Sequence, residues 1–317
     1  MHVRSWRAGK LAETADIDGV SRLVAARDGR TWIDLADPTP EIVQAAAREL
    51  GLHPLVAEDI VESNERAKVQ LIDDVIHVVS FVLTRDVEVA AHEVDFVLGS
   101  GFLLSVHPAS WDPMTAHQLR MGVGQLLERG PDYLLWALVD SIVDGYFPVF
   151  DGLGDEIDVL QDDAIARPNP ETLQHLFRLK RELIRIRHVV APSREVFAQL
   201  TSREFALIAE PNVFYFRDVY DHLIRLNDEL DSFRELAAGS LEIYLSTINN
   251  NLSTIMKRLT GVTVILAGIG AVAGLFGMSE AATAIEGLEG SGFYLIVGGT
   301  VVAAVAAVIF LRRIDWL

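Results

Sequence analysis

Between residues 242 and 274 one set of positions recurs at steps of three and four: Glu242, Ser246, Asn249, Ser253, Met256, Thr260, Thr263, Ala267, Gly270 and Gly274. On an α-helix that spacing is a single face. The face offers a carboxylate, hydroxyls, an amide and a thioether over its first two thirds, and only small residues beyond. Neutral oxygens in a row can pass a hydrated cation from one to the next, but they form no nucleophile and base. The chemistry they suit is conduction, and the helix that carries them must cross a membrane for that to matter.

Two uncharged runs meet this condition. Leu259 to Ser279 and Ser291 to Leu311 contain no charged residue, and each is close to the roughly 20 residues that span a hydrocarbon core. A buried hairpin of a large soluble domain is the alternative reading, and the flanks argue against it. Lys257 and Arg258 precede the first run and Arg312 and Arg313 follow the second, whereas the segment between carries Glu280, Glu286 and Glu289 and no base. The positive-inside rule then predicts both chain ends in the cytoplasm and an acidic loop outside. "GIGAVAG" (268–274) and "GGTVVAAVAAV" (298–308) are small-residue stretches that favour close helix packing; the first lacks the strand and spacing of a dinucleotide fingerprint.

Upstream, Val219, Leu223, Leu226, Leu230, Phe233, Ala237, Leu241, Leu245, Ile248, Leu252, Ile255 and Leu259 continue the same period. One helix is therefore expected from about residue 212 to 278, roughly 100 Å long at 1.5 Å per residue. Such a helix exceeds any single globular domain and must lay its apolar stripe on neighbours, most simply on copies of itself about an axis. Below Lys257 the polar face has a plain alternative as a solvated surface. Inside the span that alternative fails, although a threonine there can return its hydroxyl proton to a carbonyl one turn back. The continuity of the polar face across the boundary favours a pore lining.

The remaining sequence positions this helix. "TWIDLADPTPEIVQAAARELGL" reads as a strand, a turn at Asp37-Pro38 and a helix stopped by Gly51. "KVQLIDDVIHVVSFVL" and "EVDFVLGSGFLLSVH" read as hairpins turning at Asp73-Asp74 and at Gly99-Ser100-Gly101. Residues 132–166 and 170–208 read as two helices joined by "RPNP", antiparallel by the shortness of the link. The segment 151–163 holds six acids and no base and reads first as a solvated helix face.

Composition narrows the function further. With 45 acids against 27 bases the formal charge is −18, so a nucleic acid is an unsuitable partner and cations are natural ones. The chain has no cysteine, which excludes disulfides, thiolate metal sites and thiol catalysis. The first thirty residues hold Arg4, Arg7, Lys10, Glu13 and Asp16 without an apolar run, so no secretory segment is expected there. No phosphate-binding loop, nucleophile elbow or His-Glu-x-x-His motif occurs, and His107 and His188 read as structural. An enzyme is not expected.

With these residues in place, "YLSTINNNLSTIMKRLT" (244–260), a span, Gly277-Met278-Ser279, a short loop, a second span and the ending "RRIDWL" resemble the CorA-type magnesium transporters. "HPLVAEDIVESNERAKVQLIDD" (53–74), "EVDFVLGSGFLLSVH" (93–107), "LLWALVDSIVDGYFPVFDGLGDEID" (134–158), "LFRLKRELIRIR" (176–187) and "FRDVYDHLIRLNDELDSFREL" (216–236) resemble family segments in the family's order. The resemblance implies an α+β membrane protein assembled as a funnel-shaped homopentamer in an inner or plasma membrane. Its parts would be a cytoplasmic α/β/α domain (1–130), its helical pair (131–210), a stalk helix (211–258), a pore-lining span (259–279), an outer acidic loop (280–292), a second span (293–311) and a basic cytoplasmic tail (312–317).

Carried over by position, the resemblance implies a pore lined by Glu242, Ser253, Met256, Leu259, Thr260, Thr263, Ala267, Gly270 and Gly274, with Gly277, Met278, Ser279 and the loop acids at the outer mouth. It places Asp218 in a regulatory divalent site between subunits, with Asp86 and Glu88 as candidate partners. The transported and regulatory ion implied is Mg2+. Serine at 279 stands where the family signature Gly-Met-Asn has asparagine, and Ser253 stands where an inner asparagine is usual. A shorter side chain would hold a hydration shell less closely. Zinc, cobalt or nickel transport, as in the ZntB-like branch, and a non-conducting membrane sensor or scaffold are the competing expectations.

Overall fold

The computed structural model describes residues 1–17, 19–26, 29–62, 64, 66–202, 205–277, 291–314 and 316. Seven strands form one mixed sheet: β1 (His2–Arg7), β2 (Lys10–Thr14), β3 (Arg30–Ala36), β4 (Lys68–Ile72), β5 (Val75–Arg85), β6 (Val89–Gly99) and β7 (Phe102–His107). Their order is β2-β1-β3-β7-β6-β5-β4. All neighbours are antiparallel except β3 and β7, which run parallel from Thr31↔Phe102 to Ala36↔His107. Both expected hairpins are present. The β4–β5 turn has Asp73 in the left-handed region (φ 51), a conformation aspartate tolerates better than most residues. At the β6–β7 turn a Cβ on Gly99 would fall 2.1 Å from the Phe102 ring, so only glycine lets that ring fold back over the strand end.

Alternation along the strands assigns two buried faces. Val3, Ile33, Leu35, Val97, Leu104 and Val106 point toward a layer made by three short helices, α1 (Val20–Val24), α2 (Pro40–Leu50) and α3 (Pro54–Val61), which contribute Val20, Ala46 and Val56. Gly51 ends α2 as expected, and Pro40 takes its first position. On the other face Trp32 donates to Ser105 Oγ (2.8 Å), Ser105 donates to Asp34 (2.6 Å), and His107 Nε2 lies 3.2 Å from the same carboxylate. The further helices of this unit are α4 (Val123–Arg129), α5 (Pro131–Asp144), α6 (Tyr146–Ala166) and α7 (Pro170–Ser202).

The helical reading of 132–166 needs correction. The helix is interrupted at Gly145, and the cause is Pro148, which has no N–H for the Asp144 carbonyl and crowds it. This region is apolar enough to cross a membrane by composition, yet its most apolar window is 67% buried, as a core helix should be. The second helix ends at Ser202 rather than 208. Phe205 and Ile208 are buried outside the helix.

α8 runs unbroken from Val213 to Gly277, 65 residues or about 100 Å, and α9 covers Ser291–Arg313. The chain divides into two compact units, residues 1–162 with 170–240, and residues 163–169 with 241–317. In the first, Asp132 Oδ2 accepts from the backbone N–H of Ala209 (2.9 Å) and from Asn212 Nδ2 (2.7 Å), fastening the entry to α8. Asp132 and Asn212 are both buried. Asp132→Ala strands those donors at a cost of about 1–3 kcal/mol, and a melting temperature lowered by several degrees, followed by circular dichroism, is expected for the full-length protein.

Candidate divalent-cation path and carboxylate–imidazole cluster

The stripe expected from the sequence lies on one face of α8. Glu242, Ser246, Asn249, Ser253, Met256, Leu259, Thr260, Thr263, Ala267, Gly270 and Gly274 are all exposed in the single chain. The apolar faces of the same stretch are equally bare, with Leu252, Ile255, Val264, Leu266 and Leu275 each more than half exposed. Thr263 donates to the Leu259 carbonyl at 2.8 Å, the backbone bond that threonine can always make. Its oxygen retains acceptor capacity. A Cβ at Gly270 or Gly274, or at Gly298 or Gly299 of α9, would meet open space, so among the described residues of one chain none uses the clearance these glycines provide. Gly277 ends α8; Met278, Ser279, Glu280, Glu286 and Glu289 lie outside the described residues.

A second constellation sits in the first unit. Asp140 and Asp144 are one turn apart on α5, and Asp218 and His222 are one turn apart on α8. Asp140, Asp144 and His222 place one ligand atom each within 4.8 Å of one another. Two carboxylates and an imidazole at this spacing are a donor set for a divalent cation, with the ring nitrogen favouring cobalt or zinc over magnesium. His222 Nδ1 has no hydrogen-bond partner and lies 3.8 Å from Asp144 Oδ1. Asp140 is 6% exposed and accepts a hydrogen bond from Gln118. Burial first, then the charges of Asp144 and Asp218, push its carboxyl up to about 6, while His222 pulls the other way. A buried acid surrounded by acids is short of positive charge.

Of the regulatory residues expected from sequence, Asp218 therefore stands beside Asp140. Asp86 and Glu88 do not join this group within the chain. Both are exposed, and Glu88 pairs with Arg185 at 2.8 Å, which holds its carboxyl below the ordinary range. Nearby Arg85 bonds Glu156 and approaches the buried Glu182 at 3.7 Å. Asp140, Asp144 and His222 escaped the sequence reading. The available signal was two pairs at i and i+4, which say only that each pair shares a helix face.

A mixed sheet with helices on both faces, one very long helix apolar enough to cross a membrane and a second apolar helix fit the class of α-helical membrane proteins. A family model described as CorA-like Mg2+ transporter protein matches residues 27–313. The chain belongs to that family. It is 33% identical over 315 residues to the cobalt/magnesium transport protein CorA of Thermotoga maritima, covering 96% of this chain and 88% of the relative. The complete structure of the CorA magnesium transporter from Methanocaldococcus jannaschii superposes with a TM-score of 0.81 at 21% identity, covering 100% of this chain and 99% of that one. Full-length CmaX superposes at 0.76 and 18% identity, with 98% and 97% covered.

The raised carboxyl makes a pH prediction. Asp140 binds its proton more tightly when folded than unfolded, so ionising it costs stability. That contribution is present at low pH and is lost as pH rises from about 4, the unfolded value, to about 6. In chelator, the wild type should lose stability relative to Asp140→Asn across that window. Added Co2+ at neutral pH should restore it in the wild type only, as read by melting temperature.

Proposed function

We propose that this chain conducts divalent cations, foremost Mg2+, across an inner or plasma membrane as a homopentamer in which five copies of α8 turn the stripe from Glu242 to Gly274 toward a shared axis. The observation that supports the reading is one face that runs without a charge from Ser246 to Gly274, polar as far as Thr263 and small beyond it, exposed along its whole length in the single chain. Family membership and the named ions of the T. maritima relative, cobalt and magnesium, support the choice of cargo. The bare glycines of α8 and α9 supply the close approach that a packed ring of helices requires.

In this reading the termini are cytoplasmic, and Glu280, Glu286 and Glu289 concentrate cations at the outer mouth formed by Gly277, Met278 and Ser279. The ions move with much of their water, past hydroxyls and amides rather than fixed charges. At a potential of about 100 mV, negative inside, an entering divalent ion gains roughly 4.6 kcal/mol, so no nucleotide is consumed. Regulation follows from charge. Residues 1–258 hold 41 acids against 25 bases, and five such domains side by side repel one another unless cations bind between them. Asp140, Asp144, Asp218 and His222 are the intrachain part of that site, and Asp86 and Glu88 of a neighbouring copy would face Asp218. Loss of the bound ion loosens the assembly and opens the path.

Cobalt is a second cargo reading, favoured by His222 among the regulatory ligands. The stripe itself has no imidazole and one thioether, which leaves soft metals without strong ligands during passage. Liposomes holding the full-length protein and an internal Mg2+ indicator should show flux that zinc inhibits weakly, that Thr260→Leu reduces at least about tenfold, and that Ser279→Asn increases in selectivity for Mg2+. Flux only after Ser279→Asn would establish the non-conducting sensor instead. Flux indifferent to both Thr260 and Met256 would refute the assigned path.

A further inference from the structure

A different polar cluster lies in the first unit. The α2–α3 layer does not close fully onto the sheet. Pro40 and Val43 of α2 and Ile60 of α3 face Phe81, Val106 and two acids of β6 across a cleft of about 550 Å3. The cleft lies just beyond the carboxyl ends of β3 and β7, the parallel pair, where the chain leaves the sheet through Asp37-Pro38 and through Pro108. Mixed α/β sheets leave room for ligands at this place because the two strands depart in different directions. The volume suits a small molecule and exceeds what a bare ion fills.

The acids are Glu93 and Asp95, at alternate positions of β6 and so on one face, with Asp37 exposed at the rim. Asp95 is 4% exposed and lies 2.7 Å from Nε2 of His77, which is wholly buried and leaves Nδ1 without a hydrogen bond. Glu93 accepts from the backbone and side-chain nitrogens of Asn64. The neighbouring cations are committed elsewhere. Lys68 pairs with Asp59 at 2.8 Å, and that carboxylate also stands 4.0 Å from His77 Nδ1. His107 has both ring nitrogens engaged, one with Asp34 and one with the Pro108 carbonyl at 2.9 Å. Burial works against its charged form, but these two acceptors outweigh it and push His107 up. Burial first pushes the carboxyls of Glu93 and Asp95 up, against the pull of Asn64 on Glu93 and of His77 on Asp95, so negative charge at this end of the cleft is only partly offset.

We propose that this cleft binds a small organic cation of the linear diamine class, one ammonium at Glu93 and Asp95, the methylenes along Val43, Phe81 and Val106, and the second ammonium at Asp37. Between the acids the lining turns apolar at Val43, Phe81 and Val106, which shelters a hydrocarbon chain and adds nothing for a metal ion. Among the described residues no group of three His, Asp or Glu converges here at metal-ligand spacing, which also favours an extended cation. The cleft would let the cytoplasmic unit respond to a cation other than the transported one.

Isothermal titration of the full-length protein in detergent, with putrescine as the probe and Mg2+ saturating throughout, tests this. One binding event per chain is expected, weakened about tenfold or more by Asp37→Asn and abolished by Asp95→Asn, with butylamine binding about tenfold more weakly than putrescine. Asp37 has φ 42, a conformation asparagine adopts readily, so that variant keeps its turn and a loss of affinity reports the charge. The proposal is overturned if putrescine gives no heat, if its affinity is unchanged in Asp37→Asn, or if butylamine binds equally well.

Discussion

The structure depends on a helix that cannot be satisfied alone. α8 holds 65 residues in one rod, and over its second half hydroxyls, amides and glycines on one side and leucine, isoleucine and valine on the others are all bare. An apolar side chain left in water costs free energy in proportion to its area, and a polar stripe left in lipid costs more for each group. A helix with both kinds of face is stable only where lipid meets one and something wet meets the other. Copies of the same helix around an aqueous axis supply both environments at once, and this is why the geometry of one chain points to an assembly.

Charge sets the second constraint. The first unit repeatedly buries carboxylates beside imidazoles: Asp34 with His107, Asp95 with His77, and Asp140 near His222. In the first two the partners touch, and around Asp34 the network closes through Ser105 and Trp32, which is how a folded core tolerates ions. The third is left open, with Asp144 and Asp218 adding negative charge instead of cancelling it. An unneutralised buried acid in a family of cation transporters is an invitation to the ion itself.

Local chemistry made much of the architecture legible in the sequence. Asp73-Asp74 and Gly99-Ser100-Gly101 marked two hairpins because few other residues accept those turns, and the apolar step from Val219 to Leu259 marked α8 because no strand has that period. The break at Gly145 was readable from Pro148 three residues later, yet a long apolar run disguised it. The end of α7 was misplaced because Phe205 and Ile208 continue a helical pattern while tertiary burial redirects the chain. The meeting of Asp140, Asp144 and His222 could not be read at all, since it joins residues more than seventy positions apart in sequence through a packing angle that no local pattern encodes.

The central claim, that the stripe borders water within the membrane, is open to a direct measurement because the chain contains no cysteine. Single cysteines at 260, 263, 267 and 270, and at 262, 264, 266 and 269, can each be exposed in native membranes to a charged, water-soluble thiol reagent. The account predicts rapid modification of the first set, slowed by Mg2+, and little or none of the second. Equal protection of both sets, or faster reaction at 264 and 266 than at 263 and 267, would contradict it.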